Sequence, residues 1–417
     1  MSYLDRLDAT PEAERFPLLW GWVNSEDPRP FFAELRARRP VLATPVGTLV
    51  ARFDDVIEVL RLPTVFTVQP YVHALNVYML AQDETPDHAL DKSVMTAMLD
   101  RRDLPRVRAF VAAETDKVLD GAGERIEAVS GITRHIPVRL VQEYFGFAGS
   151  DAARLQEWSY WAQMDGFHNY PWDLGADHDR IHAEAQRSLT EMKDYLAGLL
   201  RERAAALRAG KSLPDDIVAR LLQSRIAGPV GFPPEKLLLN VGGLLIGAVE
   251  TTSQAAAQVI EWLLRRPPRL AAAVAAAQLA DPKLFDGHVW EALRFAPMSN
   301  YLFRKSAAAH VFGRGQAWET EIPAGTHVLP LIGSASFDEA RFANPDAFDP
   351  MRPIHSAFHF GWGHHACLGG HIAEVLIPEM VRRVLLRPGI RLETPIDRRG
   401  GPFPESLGIA WASGGAV

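Results

Sequence analysis

Residues 360–370 constrain the fold of this chain more than any other stretch, because they hold the only cysteine among 417 residues. The segment reads F-G-W-G-H-H-A-C-L-G-G and leads into a helical pattern in which Ile372, Val375 and Leu376 are spaced to face a core. A sulfur at a helix N-terminus lies among free backbone N–H groups at the positive end of the helix dipole, and both favour the thiolate. We therefore expect Cys367 to be a ligand or a nucleophile, although a lone cysteine is more often a small buried apolar residue.

Composition excludes several classes of protein. The chain is 47% hydrophobic and 23% charged, which is enough to bury a large core and is unlike a disordered chain. Its net charge of −7 argues against a nucleic-acid binder. A single cysteine excludes an internal disulfide and suits a reducing cytoplasm, where we expect the protein to reside. Early acidic residues and the lack of an apolar run at the N-terminus predict neither a signal peptide nor a membrane anchor.

One internal segment is long enough to span a bilayer, because Glu250 is the only charge in residues 237–260. We reject a membrane span, since the segment is too polar and its apolar part before Glu250 is short. It is predicted instead to be a buried core helix. The polar residues are Asn240, Thr251, Thr252, Ser253, Gln254 and Gln258.

Helical patterns predominate along the chain, with a long helix predicted over residues 177–209. Alternation and turn residues predict a hairpin over 41–53 and short strands over 300–330. We find no internal repeat and no low-complexity tail. The expected fold is therefore mainly α with a small β portion, folded as one catalytic domain over residues 1–417.

Taken as a whole, the order F-G-x-G-x-H-x-C-x-G resembles the haem-ligand loop of the cytochrome P450 family. The resemblance implies a haem b between a long central helix and the helix that follows the cysteine loop, with the Cys367 thiolate as axial ligand of the iron. Phe360 would then shield the sulfur. The loop positions expected to contact the cofactor are Phe360, Gly361, His365, Cys367 and Gly369.

The predicted central helix contains the sequence G-A-V-E-T-T over residues 247–252. From the residues alone, a mid-helix threonine that bonds back to the preceding turn indicates a solvated kink. The segment also looks like the oxygen-activation groove of the same family, with Glu250 and Thr251 at its acid and alcohol positions. Ala248 stands where the family usually has glycine and would border the haem. Dioxygen must receive two protons before its O–O bond breaks, so Thr251 would hydrogen-bond the oxygen while Glu250 relays protons through water.

Haem propionates need cations, and the resemblance places four of them. His88 matches the histidine of the family's H-x-x-x-R helix, and Lys92 replaces its arginine. Arg304 and His365 match the other two positions. On residue pattern alone, His88 and Lys92 would be an ordinary polar helix face.

A second set of charges would brace the chain near the cysteine. Glu291 and Arg294 lie three residues apart on one helical face, where they can pair. The resemblance implies a buried network of these two residues with Arg352, and such a network is costly unless it is complete.

These features predict a haem-thiolate monooxygenase that inserts one atom of dioxygen into a small apolar organic substrate. Electrons would come from a separate ferredoxin or flavodoxin with its NAD(P)H reductase, and the locally basic residues 101–108 could dock such a donor. Two alternatives stay open: an enzyme that consumes peroxide or rearranges an oxidised lipid, and a haem-binding sensor without turnover. Loop position suggests these substrate contacts: Tyr71, Val77, Met79, Phe167, Leu244, Ala248, Tyr301 and Phe403.

Overall fold

The computed structural model describes residues 1–44, 46–75, 78–169, 177–227 and 234–412. Helices predominate in this part of the chain and the strands are short, so the prediction of a mainly α fold with a small β portion is confirmed. The α-helices are α1 (Tyr3–Ala9), α2 (Glu12–Val23), α3 (Arg29–Arg38), α4 (Phe53–Arg61), α5 (Val72–Leu75), α6 (Pro86–Met98), α7 (Leu104–Gly121), α8 (His135–Leu140), α9 (Ala152–Gln163), α10 (His178–Arg208), α11 (Ile217–Ala227), α12 (Pro234–Ala248), α13 (Glu250–Leu264), α14 (Pro267–Ala277), α15 (Lys283–Phe295), α16 (Ile332–Ala335) and α17 (Gly370–Leu385).

The strands over residues 41–50 and 304–330 lie where the residue patterns predict a hairpin and short strands, whereas those over 66–67, 125–127, 391–397 and 406–410 have no predicted counterpart. The strands are β1 (Val41–Ala43), β2 (Thr48–Val50), β3 (Phe66–Thr67), β4 (Arg125–Glu127), β5 (Arg304–Ser306), β6 (His310–Phe312), β7 (Thr320–Ile322), β8 (His327–Pro330), β9 (Arg391–Asp397) and β10 (Ser406–Ala410). Short π-helical turns occupy Val129–Thr133 and Met164–His168.

The chain divides into two compact units. The first unit contains Met1–Val72, Leu80–Thr85 and Pro297–Cys367. Its five-stranded sheet has the order β1-β2-β8-β5-β3, in which β2 pairs with β8 in parallel and the other neighbours are antiparallel. Its core contains apolar side chains from α4, the five-stranded sheet, the separate β6–β7 pair, α16 and the loop before the cysteine: Val41, Val50, Phe53, Val56, Val59, Leu60, Phe66, Phe312, Ile322, Val328, Ala335 and Phe358.

The second unit is the helical part, and it also carries a three-stranded sheet of order β4-β10-β9. Helix α17 packs against α7, α13 and α15. Residues 252–260 of α13 are all buried, so α13 is buried on every side. Three consecutive alanines over 255–257 allow neighbouring helices to approach it closely.

The segment that is long and apolar enough to raise the question of a membrane span is thus a buried helix pair, as predicted. None of the described helices combines the length and apolarity that crossing a bilayer requires. The prediction of one catalytic domain over 1–417 stays a prediction.

Candidate active site

Two glycines shape the cysteine loop. Gly361 and Gly363 have φ of 66° and 69°, and residues other than glycine rarely adopt such positive values. A Cβ on Gly363 would lie 2.8 Å from the carbonyl oxygen of Leu60 in α4, so only glycine allows the loop to approach that helix. The Cys367 amide donates to the Phe360 carbonyl oxygen at 2.8 Å and closes the loop. Its side chain is exposed, as a ligand to an added group must be.

Helix α17 begins three residues after the cysteine. The amides of Ile372 and Ala373 both donate to the Gly369 carbonyl at 3.0 Å, which starts the helical ladder. Ile372, Val375 and Leu376 are buried, so the predicted core-facing stripe is confirmed. Apart from Gly369 itself and its chain neighbours, no described residue has an atom within 4 Å of a Cβ built on Gly369. This open space leaves room for an added group at Gly369.

Arg304 is a buried cation with neutral hydrogen-bond partners. Its side chain is 4% exposed, and its Nη1 donates to the Phe303 carbonyl at 2.7 Å. No carboxylate of the described residues lies within 4 Å of this guanidinium, and burial lowers its pKa from the ordinary value. A buried guanidinium held only by neutral groups suits an added anion, such as the carboxylate of a cofactor.

Tyr71 supports Arg304. Its hydroxyl accepts the Phe303 amide at 3.1 Å and also hydrogen-bonds Arg304. Burial raises the pKa of Tyr71, so its hydroxyl keeps its proton at neutral pH. The predicted substrate contact at Tyr71 stays a prediction, and the structure gives this residue a further contact that loop position did not suggest.

The remaining predicted propionate partners lie in α6 and in the cysteine loop. His88 and Lys92 are one turn apart on α6, with His88 buried and Lys92 half-buried. His365 lies in the short 3-10 turn Gly363–His365, two residues before the cysteine. The roles of His88, Lys92 and His365 as propionate partners stay predictions.

The predicted central helix is broken at Val249, between α12 and α13, where φ is −86° and ψ is −69°. Gly247, Ala248 and Thr251 keep accessible surface at this break, although their neighbours on both sides are buried. The Thr251 hydroxyl donates to the Gly247 carbonyl oxygen. The kink indicated by the sequence is therefore present, and it leaves a short accessible strip within residues 240–260, which are otherwise buried.

Glu250 directly precedes Thr251 and is 1% exposed. Its Oε2 accepts from Nε of Arg134 at 3.0 Å, whereas no group of the described residues hydrogen-bonds Oε1. The two Nη atoms of Arg134 donate to Glu405 at 2.8 and 3.2 Å. Two acids therefore share one cation. Because burial outweighs the opposing effect of Arg134, the pKa of Glu250 is raised to about 7.

Arg134 keeps its charge throughout the physiological range. Burial lowers its pKa, but the carboxylates of Glu405 and Glu250 more than offset this and raise it above the ordinary value. Its guanidinium carbon lies 5.8 Å from the ring centroid of Tyr160. Glu250 is therefore the member of this triad best placed to gain and lose a proton near neutral pH.

The predicted charge network contains the pair Glu291 and Arg294, and the structure shows this pair. Arg294 donates to Glu291 through Nε at 2.9 Å and Nη2 at 2.6 Å, and both residues are buried. Arg352 lies near Phe342, with its guanidinium carbon 5.9 Å from the ring centroid. The membership of Arg352 in the network stays a prediction.

The predicted substrate contacts are spread over several elements. Met79, Leu244 and Phe403 are buried, and Phe167 is half-buried in the π-helical turn Met164–His168. Phe403 packs edge-on against Tyr160 and His168, with ring centroids 5.4 and 4.9 Å apart.

Tyr71 and Tyr301 are the members of this set in the first unit, where the ring of Tyr301 contacts Trp20 and Phe303. Val77 lies outside the described residues. Which of these side chains touch a substrate stays a prediction.

The basic run over residues 101–108 is less positive than its sequence suggests. Arg106 pairs with Asp215 at 2.7 Å. Arg108 pairs with Asp286 at 2.8 Å and Glu379 at 3.0 Å. Carboxylates therefore offset part of the charge that an acidic electron donor would meet.

Sequence reasoning missed Arg134 and Glu405. A buried acid in an apolar helix signals that some cation must lie nearby, but not which of the arginines it is. The partners lie 116 and 155 positions from Glu250, and no local pattern marks either of them.

The chain is similar to known proteins of one family. The family model described as Cytochrome P450 matches residues 159–387. A mycinamicin IV hydroxylase/epoxidase from Micromonospora griseorubida is 30% identical, over 87% of this chain and 89% of that protein. A steroid C26-monooxygenase from Mycobacterium tuberculosis is 28% identical, over 88% of each chain. A solved cytochrome P450 from Chondromyces apiculatus aligns with a TM-score of 0.76 at 24% identity, over 95% of this chain and 97% of that one, and it shows the shared fold.

Proposed function

Because the chain belongs to the cytochrome P450 family, we propose that it is a monooxygenase that inserts one oxygen atom from dioxygen into a small apolar organic substrate. One observation carries the proposal: a buried acid, Glu250, directly precedes an accessible alcohol, Thr251, at a break between two buried helices. The relatives named as a hydroxylase/epoxidase and a steroid monooxygenase support the same reaction class.

The cofactor is haem b with a cysteine thiolate as axial ligand. Cys367 is the only cysteine, so it is the residue that would supply the thiolate. We assign the propionate contacts to Arg304, His365, His88 and Lys92, with Arg304 the best supported because it is buried without a carboxylate of the described residues. When bound, the haem supplies the reducible iron at which dioxygen is activated.

The chain's own contribution is to hold and move protons. Glu250, with a pKa of about 7, can both release and take up a proton at neutral pH. The Thr251 hydroxyl is anchored on the Gly247 carbonyl through its hydrogen, which leaves its oxygen free to accept. Arg134 holds one oxygen of Glu250, so the other is the oxygen available for proton exchange.

We propose a separate ferredoxin or flavodoxin with its NAD(P)H reductase as the electron source. The rival within catalysis uses peroxide or rearranges an oxidised lipid and needs no outside electrons. The acid and alcohol at residues 250 and 251 favour dioxygen over this rival, since peroxide already carries its protons. A haem-binding sensor without turnover would need neither Glu250 nor Thr251, so their presence also favours the monooxygenase over the sensor.

Two measurements test this proposal. A reduced carbon-monoxide difference spectrum should show the Soret band at the thiolate position, and a band elsewhere would refute the ligand assignment. Product formed with a surrogate ferredoxin system and dioxygen should exceed product formed with peroxide alone. The reverse result would favour the peroxide-dependent rival, and no product under either condition, over a broad panel of apolar compounds, would favour the sensor.

Replacing Thr251 with alanine should uncouple NAD(P)H oxidation from product formation. Removing the hydroxyl takes away the group that accepts and passes on a proton, so we expect several-fold less product and more peroxide per NAD(P)H oxidised. The measurement is the product-to-NAD(P)H ratio with a surrogate ferredoxin system.

Thr115→Ala is the matched control. The Thr115 hydroxyl also donates to the carbonyl four residues earlier, on Val111 at 2.7 Å, and Thr115 is fully buried in α7. Its loss should leave the ratio unchanged. Equal coupling in Thr251→Ala and the parent would contradict the role assigned to Thr251.

A further inference from the structure

The break between α12 and α13 leaves backbone carbonyls without their usual helical partners. In a continuous helix the Ile246 carbonyl would accept from the Glu250 amide, and the Gly247 carbonyl from the Thr251 amide. The ladder is interrupted at Val249, so both acceptors need other donors. The Gly247 carbonyl takes its hydrogen bond from the Thr251 hydroxyl.

The Ile246 carbonyl accepts its hydrogen bond from a side chain of a different helix. Gln163, the last residue of α9, donates to it through Nε2 at 2.7 Å, and its side chain is only 4% exposed. Ser159, one turn earlier and fully buried, lies with its hydroxyl 3.4 Å from the carbonyl oxygens of both Leu245 and Ile246. Two polar side chains on one face of α9 thus point at the last turn of α12.

We infer that Gln163 is a positioning residue that holds this break open and thereby fixes the place of the Thr251 hydroxyl. The Gln163 amide gives the Ile246 carbonyl a hydrogen bond when the Glu250 amide does not, so it lowers the free-energy cost of the broken form. Because Thr251 is anchored on the Gly247 carbonyl, next along the chain, the position of the hydroxyl follows the state of the break. This inference rests on the proposed monooxygenase function for its catalytic part only.

Among the described residues, the Ile246 carbonyl is the one group that the side chain of Gln163 hydrogen-bonds. A buried apolar side chain of the same length would pack equally well against α12, since the flanking Leu245 and Ile246 are themselves buried and apolar. The buried side-chain amide of Gln163 is therefore explained by its hydrogen bond to the Ile246 carbonyl.

The test compares Gln163→Met with the parent, as purified haem-loaded protein. Met preserves length and removes the shorter of the two hydrogen bonds to this carbonyl, leaving only the 3.4 Å contact from Ser159, so the Ile246 carbonyl should recapture the Glu250 amide and the helix should close. We expect hydrogen–deuterium exchange to slow several-fold in peptides covering residues 245–254. Unchanged or faster exchange there would overturn the inference.

Gln142→Met is the matched control. Gln142 also donates its side-chain amide to a carbonyl, that of Ser150 at 2.8 Å, but in a different part of the same unit. Gln142→Met should leave hydrogen–deuterium exchange over residues 245–254 unchanged. Slower exchange in both variants would overturn the inference. If Gln163→Met cannot be isolated with haem, Gln163→Glu removes the amide donor at nearly the same size and is tested in the same way.

The effect of Gln163 on catalysis is measured separately, as the amount of peroxide released per NAD(P)H oxidised. Gln163→Met should release more peroxide per NAD(P)H than Gln142→Met while keeping the carbon-monoxide band of the parent. Slower exchange with unchanged peroxide release would overturn the positioning role. A parent without a thiolate band would instead refute the proposed function, and the exchange result would still decide whether Gln163 holds the break.

Discussion

A Cys367→Ser variant is expected to lose oxygenation entirely and to move the carbon-monoxide Soret band away from the thiolate position. A serine hydroxyl stays protonated at neutral pH and cannot supply the electron-rich sulfur that the reaction requires. The fold should survive, because the Cys367 side chain is exposed and the loop is closed by its backbone amide. We expect the free energy of unfolding of the haem-free protein to change by no more than about 0.5 kcal/mol.

Met351→Ser is the control for this change. Met351 also carries sulfur and is 74% exposed in the same unit, with no role assigned to it. Spectra and activity of Met351→Ser should match the parent. Retention of the thiolate band in Cys367→Ser would exclude Cys367 as the ligand and would overturn the central assignment of the site.

The cysteine loop could be predicted from sequence because its constraints are local. Positive φ at Gly361 and Gly363, and the buried stripe of Ile372, Val375 and Leu376, follow from residue types at fixed spacing. The break near Val249 was indicated in the same way, since Thr251 could bond back to the preceding turn.

The partners of these residues could not be predicted, because they depend on tertiary packing between distant segments. Arg134 follows a π-helical turn and hydrogen-bonds Glu250, while Glu405 precedes β10 and hydrogen-bonds the same Arg134. Gln163 donates to the Ile246 carbonyl, which lacks its helical donor because the helix breaks. A pattern of side chains says nothing about which backbone groups a fold leaves unpaired.

The charge balance around Glu250 has a consequence for stability. Its pKa is raised from 4.5 to about 7, so between these values the folded protein binds a proton that the unfolded chain releases. Stability therefore falls as pH rises through this window, by about 3 kcal/mol in all, since one pKa unit corresponds to about 1.4 kcal/mol. The groups that face Glu250 are Arg134, Glu405 and Tyr160, and only Arg134 opposes the effect.

Replacing Arg134 with leucine should destabilise the protein strongly above neutral pH and much less below it. Without the guanidinium, the Glu250 carboxylate is buried with no cation, and breaking such a pair costs about 3–5 kcal/mol. At pH 5 Glu250 is protonated with or without Arg134, so most of the cost should vanish. Urea unfolding of the haem-loaded protein, followed by circular dichroism at pH 5 and pH 8, measures the difference.

Two further variants identify the cause. Adding Glu250→Gln to Arg134→Leu should recover much of the stability at pH 8, because the buried charge is then gone. Arg139→Leu removes a half-buried arginine that pairs with Glu114 and Glu143, and it should cost no more than about 1 kcal/mol at either pH. If Arg134→Leu costs the same at pH 5 and pH 8, Arg134 acts through packing, and Glu250 does not titrate near neutrality as its burial requires.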